Sequence, residues 1–95
     1  MKSLTESRAE LDRIDREIVR LFEERMTVSR EVAAYKIANG LPVLDASREE
    51  QVLKSRVGML RDPYWDVSVR CLYEAIMAIS RAEQMYLLDQ AAQEE

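Results

Sequence analysis

The chain of 95 residues has no histidine, one cysteine, two glycines and two prolines. Without histidine there is no imidazole acid–base chemistry, no triad built on it and no histidine metal site. Cys71 is alone, which excludes an internal disulfide and a cysteine zinc cluster. Its helical surroundings mark it as a small packed residue rather than a nucleophile, since a free cysteine behaves mostly as a buried hydrophobe. Scarce Gly and Pro, with few strand-like stretches, leave all-α as the fold class. The net charge is −4 and no basic cluster accompanies it, so a nucleic-acid partner is not expected. No apolar run approaches transmembrane length and no signal-peptide pattern opens the chain, so the expected location is cytoplasmic, with no membrane partner. Chemistry must come from Arg, Lys, carboxylates, amides and hydroxyls, and neither a metal nor a cofactor is expected.

What is present is helical periodicity. Leu4, Leu11, Ile14, Ile18, Leu21, Arg25, Val28, Val32 and Tyr35 fall on one stripe, with Lys36 beside it. From Leu11 onward the spacing alternates three and four, as one amphipathic helix requires. Ser3 and Glu6 have capping-box spacing at its start. The pattern runs to about Asn39, with Gly40 as a stop and Pro42 beyond it. A second helix starts at Asp45 or Ser47, carries Val52, Leu53, Val57 and Leu60 inward, and fades near Arg61. Asp62-Pro63 reads as an N-cap with Pro at the first helical position. A third helix then runs to about Asp89 with Val69, Leu72, Tyr73, Ile76 and Leu87 on its stripe, and Gln90 to Glu95 read as a fraying acidic end.

Length constrains assembly. One domain is expected over residues 1–95. A first helix of about 36 residues is about 54 Å long, whereas a compact domain of this size has a radius of gyration of only about 12–13 Å. The helix must project, and its projecting half stays apolar at Leu4, Leu11 and Ile14. The expectation is an intertwined homodimer in which the long helices pair. The alternative is a monomer with a kinked first helix, although no Pro or Gly marks a kink.

Polar residues interrupt these inner faces. Arg25 and Lys36 are 11 residues apart, close to three turns, and lie about 16 Å apart along the axis. A buried unpaired cation is costly, so Arg25 needs either a protein carboxylate or an anionic ligand. Lys36 has a bland reading as a C-terminal complement to the helix dipole. Arg48 and Glu49 precede Val52 and Leu53 by one turn and share their inward face. Ser80 and Gln84 continue the third stripe one turn apart, although Gln84 also reads as an ordinary exposed helix former. Arg8 lies about 25 Å before Arg25 and cannot share a pocket with it within one chain. Taken alone it reads as a solvent-exposed arginine; across antiparallel helices of a dimer it reaches the partner's pocket. Cations outnumber anions among the inward groups, a composition that suits a small polyanion in a closed helical pocket.

The ordered set Leu11-Asp12-Arg13-Ile14-Asp15, Leu21 to Arg25, Val32-Ala33-Ala34-Tyr35-Lys36, Pro42-Val43-Leu44-Asp45, Arg48-Glu49 and Ser80 to Gln84 resembles the all-α chorismate mutases over about residues 4 to 88. The resemblance implies an interlocked helical homodimer that rearranges chorismate to prephenate in phenylalanine and tyrosine biosynthesis, with no cofactor. It further implies that Arg8 enters the partner's site and, with Arg25, holds the two substrate carboxylates. Lys36 would bind a carboxylate and the ether oxygen. Asp45, Arg48 and Glu49 would line the site, Glu49 accepting from the substrate hydroxyl. Ser80 and Gln84 would close it, Gln84 donating to the ether oxygen. Two other functions compete: an isochorismate-pyruvate lyase of the same fold, and a non-catalytic helical dimerisation module. Tyr64 and Trp65 have no assignable role.

Overall fold

Each helix begins and ends where its capping chemistry dictates. In the computed structural model, which describes residues 1–94, the Ser3 hydroxyl accepts from the Glu6 amide at 3.1 Å and starts α1, Leu4–Ala38. No Pro or Gly interrupts α1, and it runs unbroken. Gly40, with φ of 64°, ends it. The Leu41 amide returns to the Lys36 carbonyl at 2.8 Å and the Gly40 amide to Ile37 at 3.3 Å. These are the two bonds of a Schellman cap, which satisfies carbonyls the helix end leaves free.

The Asp45 carboxylate accepts from the Arg48 amide at 3.0 Å and starts α2, Ala46–Gly58. Asp45, not Ser47, is therefore the cap, and α2 ends three residues before the expected Arg61. Asp62 caps a 3-10 turn, Pro63–Trp65, through the Tyr64 amide at 3.0 Å, rather than α3 directly. The turn feeds α3, Asp66–Gln93, which continues past the expected end near Asp89. Glu95 lies outside the described residues. Among these residues all regular structure is helical.

α3 lies against both α1 and α2. Val52 and Leu53 of α2 pack on Met77 of α3, with Tyr73 against them, and Ala33 of α1 and Val43 of the connector are also buried. Arg70 on α3 bridges Glu50 of α2 at 3.5 Å, and Arg30 on α1 bridges Glu83 of α3 at 3.5 Å. These solvated pairs contribute little stability. On the projecting half of α1, a hydrogen bond from Arg20 holds the Glu17 carboxyl below its ordinary range.

Two expectations change at the level of the protomer, while the uncovered apolar face on the projecting half of α1 is as expected. Cys71, expected to be packed, is exposed. Leu72, expected on the inner stripe, is 54% exposed. The stripe from Leu4 to Tyr35 is also largely exposed, including Leu11, Ile14, Ile18, Leu21, Val28 and Val32. Periodicity identified an apolar face correctly, but within one chain only the C-terminal half of α1 has a partner. Tyr64 and Trp65 stack edge to face at 4.8 Å on the surface.

The shape explains the exposure. The radius of gyration is 17.1 Å and the long axis 61 Å, well beyond the about 12–13 Å radius of a compact chain of this length. The accessible surface is 7599 Å², about 1,900 Å² more than the roughly 5,700 Å² typical of a folded monomer of this mass.

Gly40→Ala tests the cap that sets the end of α1. Nothing lies within 4 Å of an added Cβ there, so the penalty is purely conformational. Denaturant unfolding at fixed protein concentration should show a loss of about 1–2 kcal/mol; an unchanged midpoint would show that the left-handed cap is dispensable.

Candidate active site

One cavity of about 370 Å³ lies where α1, the connector, α2 and α3 meet. Arg25, Ser29 and Lys36 line it from α1, Val43 and Asp45 from the connector, and Arg48, Glu49 and Arg56 from α2. Ser80, Arg81 and Gln84 line it from α3, and Val28, Val32, Val52 and Met77 supply apolar wall. Every site residue singled out in the sequence therefore lines this cavity, with the exception of Arg8. Arg8 is exposed on the projecting half of α1 and is not among the cavity residues.

Local structure places each group. Arg25 and Lys36 keep the same face because α1 is continuous between them. The Schellman cap turns the chain back under Lys36, and its ammonium donates to the Val43 carbonyl at 3.3 Å. Arg25 donates to the Ser80 hydroxyl at 3.1 Å, and that hydroxyl points its own proton toward the Met26 sulfur at 3.8 Å. Ser80 is 8% exposed and is the one buried polar residue among the described residues. The Asp45 carboxylate caps α2 while also facing the cavity.

Gln84 is not the free surface residue that one reading allowed. Its amide nitrogen donates to both the Ser29 carbonyl and the Ser29 hydroxyl at 3.1 Å. A backbone carbonyl only accepts. That fixes which end of the amide faces α1.

The electrostatics are unbalanced. Arg25, Lys36, Arg48, Arg56 and Arg81 face two carboxylates, Asp45 and Glu49. Glu49 pairs with Arg81. Among the described residues no ion pair engages Arg25, Lys36, Arg48 or Arg56. The protein-carboxylate reading of Arg25 therefore fails, because its partner is a neutral hydroxyl. Neutral acceptors hold Arg25 and Lys36 in place without cancelling their charge, so the cavity is prepared for an anion with more than one negative group.

Ser29, Arg56 and Arg81 were not picked out in the sequence. Two of them carried a signal: Ser29 is one turn after Arg25, and Arg56 one turn after Val52, so each shares a face already identified as inward. Arg81 had none, since its partner Glu49 is 32 residues away.

The sequence and the fold are similar to those of known proteins. Residues 7–85 match the family model for chorismate mutase type II. The chain is 36% identical over 56 residues to the T-protein of Haemophilus influenzae, covering 59% of this chain and 15% of that one. It is 35% identical over 52 residues to a chorismate mutase of Methanocaldococcus jannaschii, covering 55% and 52%. The chain thus spans less than two thirds of the length of either curated relative. A solved chorismate mutase (form II) from Thermus thermophilus superposes with a TM-score of 0.83 at 31% identity, over 88% of this chain and 96% of that one. A family model that covers the helices lining the cavity, and a solved fold that covers nearly all of both chains, agree that this chain belongs to the chorismate mutase type II family.

Proposed function

We propose that this protein converts chorismate to prephenate. The observation that carries the reading is the cavity itself: cations from two helices without carboxylate partners, beside an oriented amide donor. Chorismate is a dianion with an enol-ether oxygen and a hydroxyl. In the reaction one ether C–O bond breaks as one C–C bond forms, and no atom, proton or electron is gained or lost. No nucleophile or acid–base group is required, which suits a chain without histidine.

Two effects supply the rate. Arg25 takes one substrate carboxylate, and Lys36 spans the other carboxylate and the ether oxygen, which holds the diaxial reactive conformer. Negative charge grows on the ether oxygen as the C–O bond lengthens. The Lys36 ammonium meets it with a donor already held nearby, and the Gln84 amide with an N–H that turns from Ser29 to the substrate; each such donor is worth about 10²–10³ in rate. Glu49 accepts from the hydroxyl, while Asp45, Arg48 and Ser80 complete the wall.

The working unit in this reading is a homodimer located in the cytoplasm. The protomer's excess surface of about 1,900 Å² corresponds to about 3,800 Å² hidden between two copies, within the range of obligate dimers. The exposed α1 stripe is the apolar face such a pairing needs. Antiparallel pairing would bring Arg8 of the partner subunit to the cavity, where it would share the substrate carboxylates with Arg25.

The purified protein should consume chorismate and form prephenate, as followed by the loss of chorismate absorbance. Pyruvate release from isochorismate without prephenate formation would instead identify a lyase. Lys36→Ala should lower turnover by about 10²–10³-fold with helicity retained; near-normal turnover would remove Lys36 from the mechanism.

Gln84→Glu should make activity acid-dependent. The carboxylate form has no hydrogen to donate, so only the protonated form, with its single O–H, can donate to the ether oxygen. The Ser29 carbonyl favours that neutral form and the cavity cations the ionised one, and their balance sets the carboxyl's pKa. Activity should be present below that pKa and fall as pH rises through it, and a flat pH–rate profile in the variant would contradict the role.

Arg8→Ala and Arg25→Ala, each inactive alone, should regain activity when mixed. Random exchange leaves about a quarter of all sites with both arginines intact in a two-fold dimer. No recovery despite demonstrated subunit exchange would exclude a shared site.

A further inference from the structure

We propose that Arg81 is a positioning residue for Glu49, an inference that rests on the chorismate reading of the cavity. Glu49 stands in the first turn of α2, and Arg81 reaches it from α3 across the cavity wall. One guanidinium nitrogen of Arg81 contacts Oε1 of Glu49. Both side chains are partly exposed, at 26% for Glu49 and 43% for Arg81. A solvated pair of this kind contributes little to stability, so its value lies in where it holds the carboxylate.

That placement has two consequences for a dianionic substrate. Arg81 occupies Oε1 and leaves Oε2 as the oxygen that accepts from the substrate hydroxyl. A glutamate with three rotatable side-chain bonds is thereby fixed before substrate arrives. Arg81 also neutralises a carboxylate that would otherwise repel the substrate's own carboxylates and draw Arg48 or Arg56 toward itself. The charge of Arg25, Lys36 and Arg48 stays available for the ligand. α3 thus braces both other helices: Ser80 holds Arg25 of α1, and Arg81, the next residue, holds Glu49 of α2. Arg81 acts through Glu49, without touching the reacting atoms.

A double-mutant cycle tests this. Steady-state kcat and KM for chorismate are measured for the unsubstituted protein, Arg81→Met, Arg81→Lys, Glu49→Gln and the Arg81→Met/Glu49→Gln pair, with helicity checked for each. Arg81→Met should lower kcat/KM about tenfold in the unsubstituted background and less than about twofold in the Glu49→Gln background, the coupling expected of residues in direct contact. Part of the loss should appear in kcat, because the hydroxyl's partner is no longer aimed. Arg81→Lys should recover a measurable part of it. An equal loss in both backgrounds would overturn the proposal, as would no loss in the first. Absence of chorismate turnover in the unsubstituted protein would overturn the functional reading itself, a failure visible before any substitution is compared.

Discussion

The structure turns on positive charge that is held in place but not cancelled. Arg25, Lys36, Arg48 and Arg56 face one cavity with no ion pair among the described residues. Like charges this close repel, and carboxylate partners would relieve them. Carboxylates would also compete with any anionic ligand for the same donors. The protein uses neutral acceptors instead, the Ser80 hydroxyl for Arg25 and the Val43 carbonyl for Lys36. Each fixes a direction while leaving other donor hydrogens free. The carboxylate of Glu49, in the same wall, is held by Arg81. In the proposed reaction this arrangement would act as electrostatic preorganisation: donors fixed in advance, with little reorganisation left for the moment of bond breaking.

Holding such a site open depends on the backbone chemistry at two helix ends. The Schellman cap at Gly40 stops α1 one turn after Lys36 and returns the chain so that Val43 lies under the ammonium. Asp45 then starts α2 at the residue that brings Arg48 and Glu49 round to the same wall. Shifting either cap by one residue rotates the following helix by about 100° and swings its charged groups off the cavity. Apolar packing of Val52, Leu53 and Met77 beside the site supplies the rigidity that lets the cations stay where the caps put them.

How far these features could be read from the sequence follows from what each depends on. The bounds of α1 were legible because Ser3, an unbroken 3.6-residue period and Gly40 are all local signals. The cavity residues Arg25, Lys36, Arg48, Glu49, Ser80 and Gln84 were legible because they interrupt, flank or extend apolar stripes, and stripes identify faces. Pairings between faces were not legible. Nothing in a single helix tells that Glu49 meets Arg81, or that Gln84 meets the Ser29 carbonyl. Nor could periodicity say what covers a stripe, so Cys71 and Leu72 read as packed although the protomer leaves them exposed. The end of α3 was misplaced because polar residues near Gln90 resemble a fraying end, yet they propagate a helix well.

The length of α1 and the charge of the cavity are two aspects of one problem. A dianion calls for several cations around a small volume, and a lone protomer that carried them all would concentrate their mutual repulsion in a chain of 95 residues. The protomer brings five to the cavity, one of them, Arg81, paired with Glu49, while Arg8 stands about 25 Å further along α1. In the proposed dimer that distance distributes the burden. Each chain folds with an incomplete charge cluster, and association through the apolar stripe supplies both the missing burial and the last cation. Hydrophobic area is non-directional and releases free energy in proportion to the surface hidden, so it is suited to drive a step that electrostatics opposes. A helix too long for its own domain is then the device by which burial at one end delivers charge at the other.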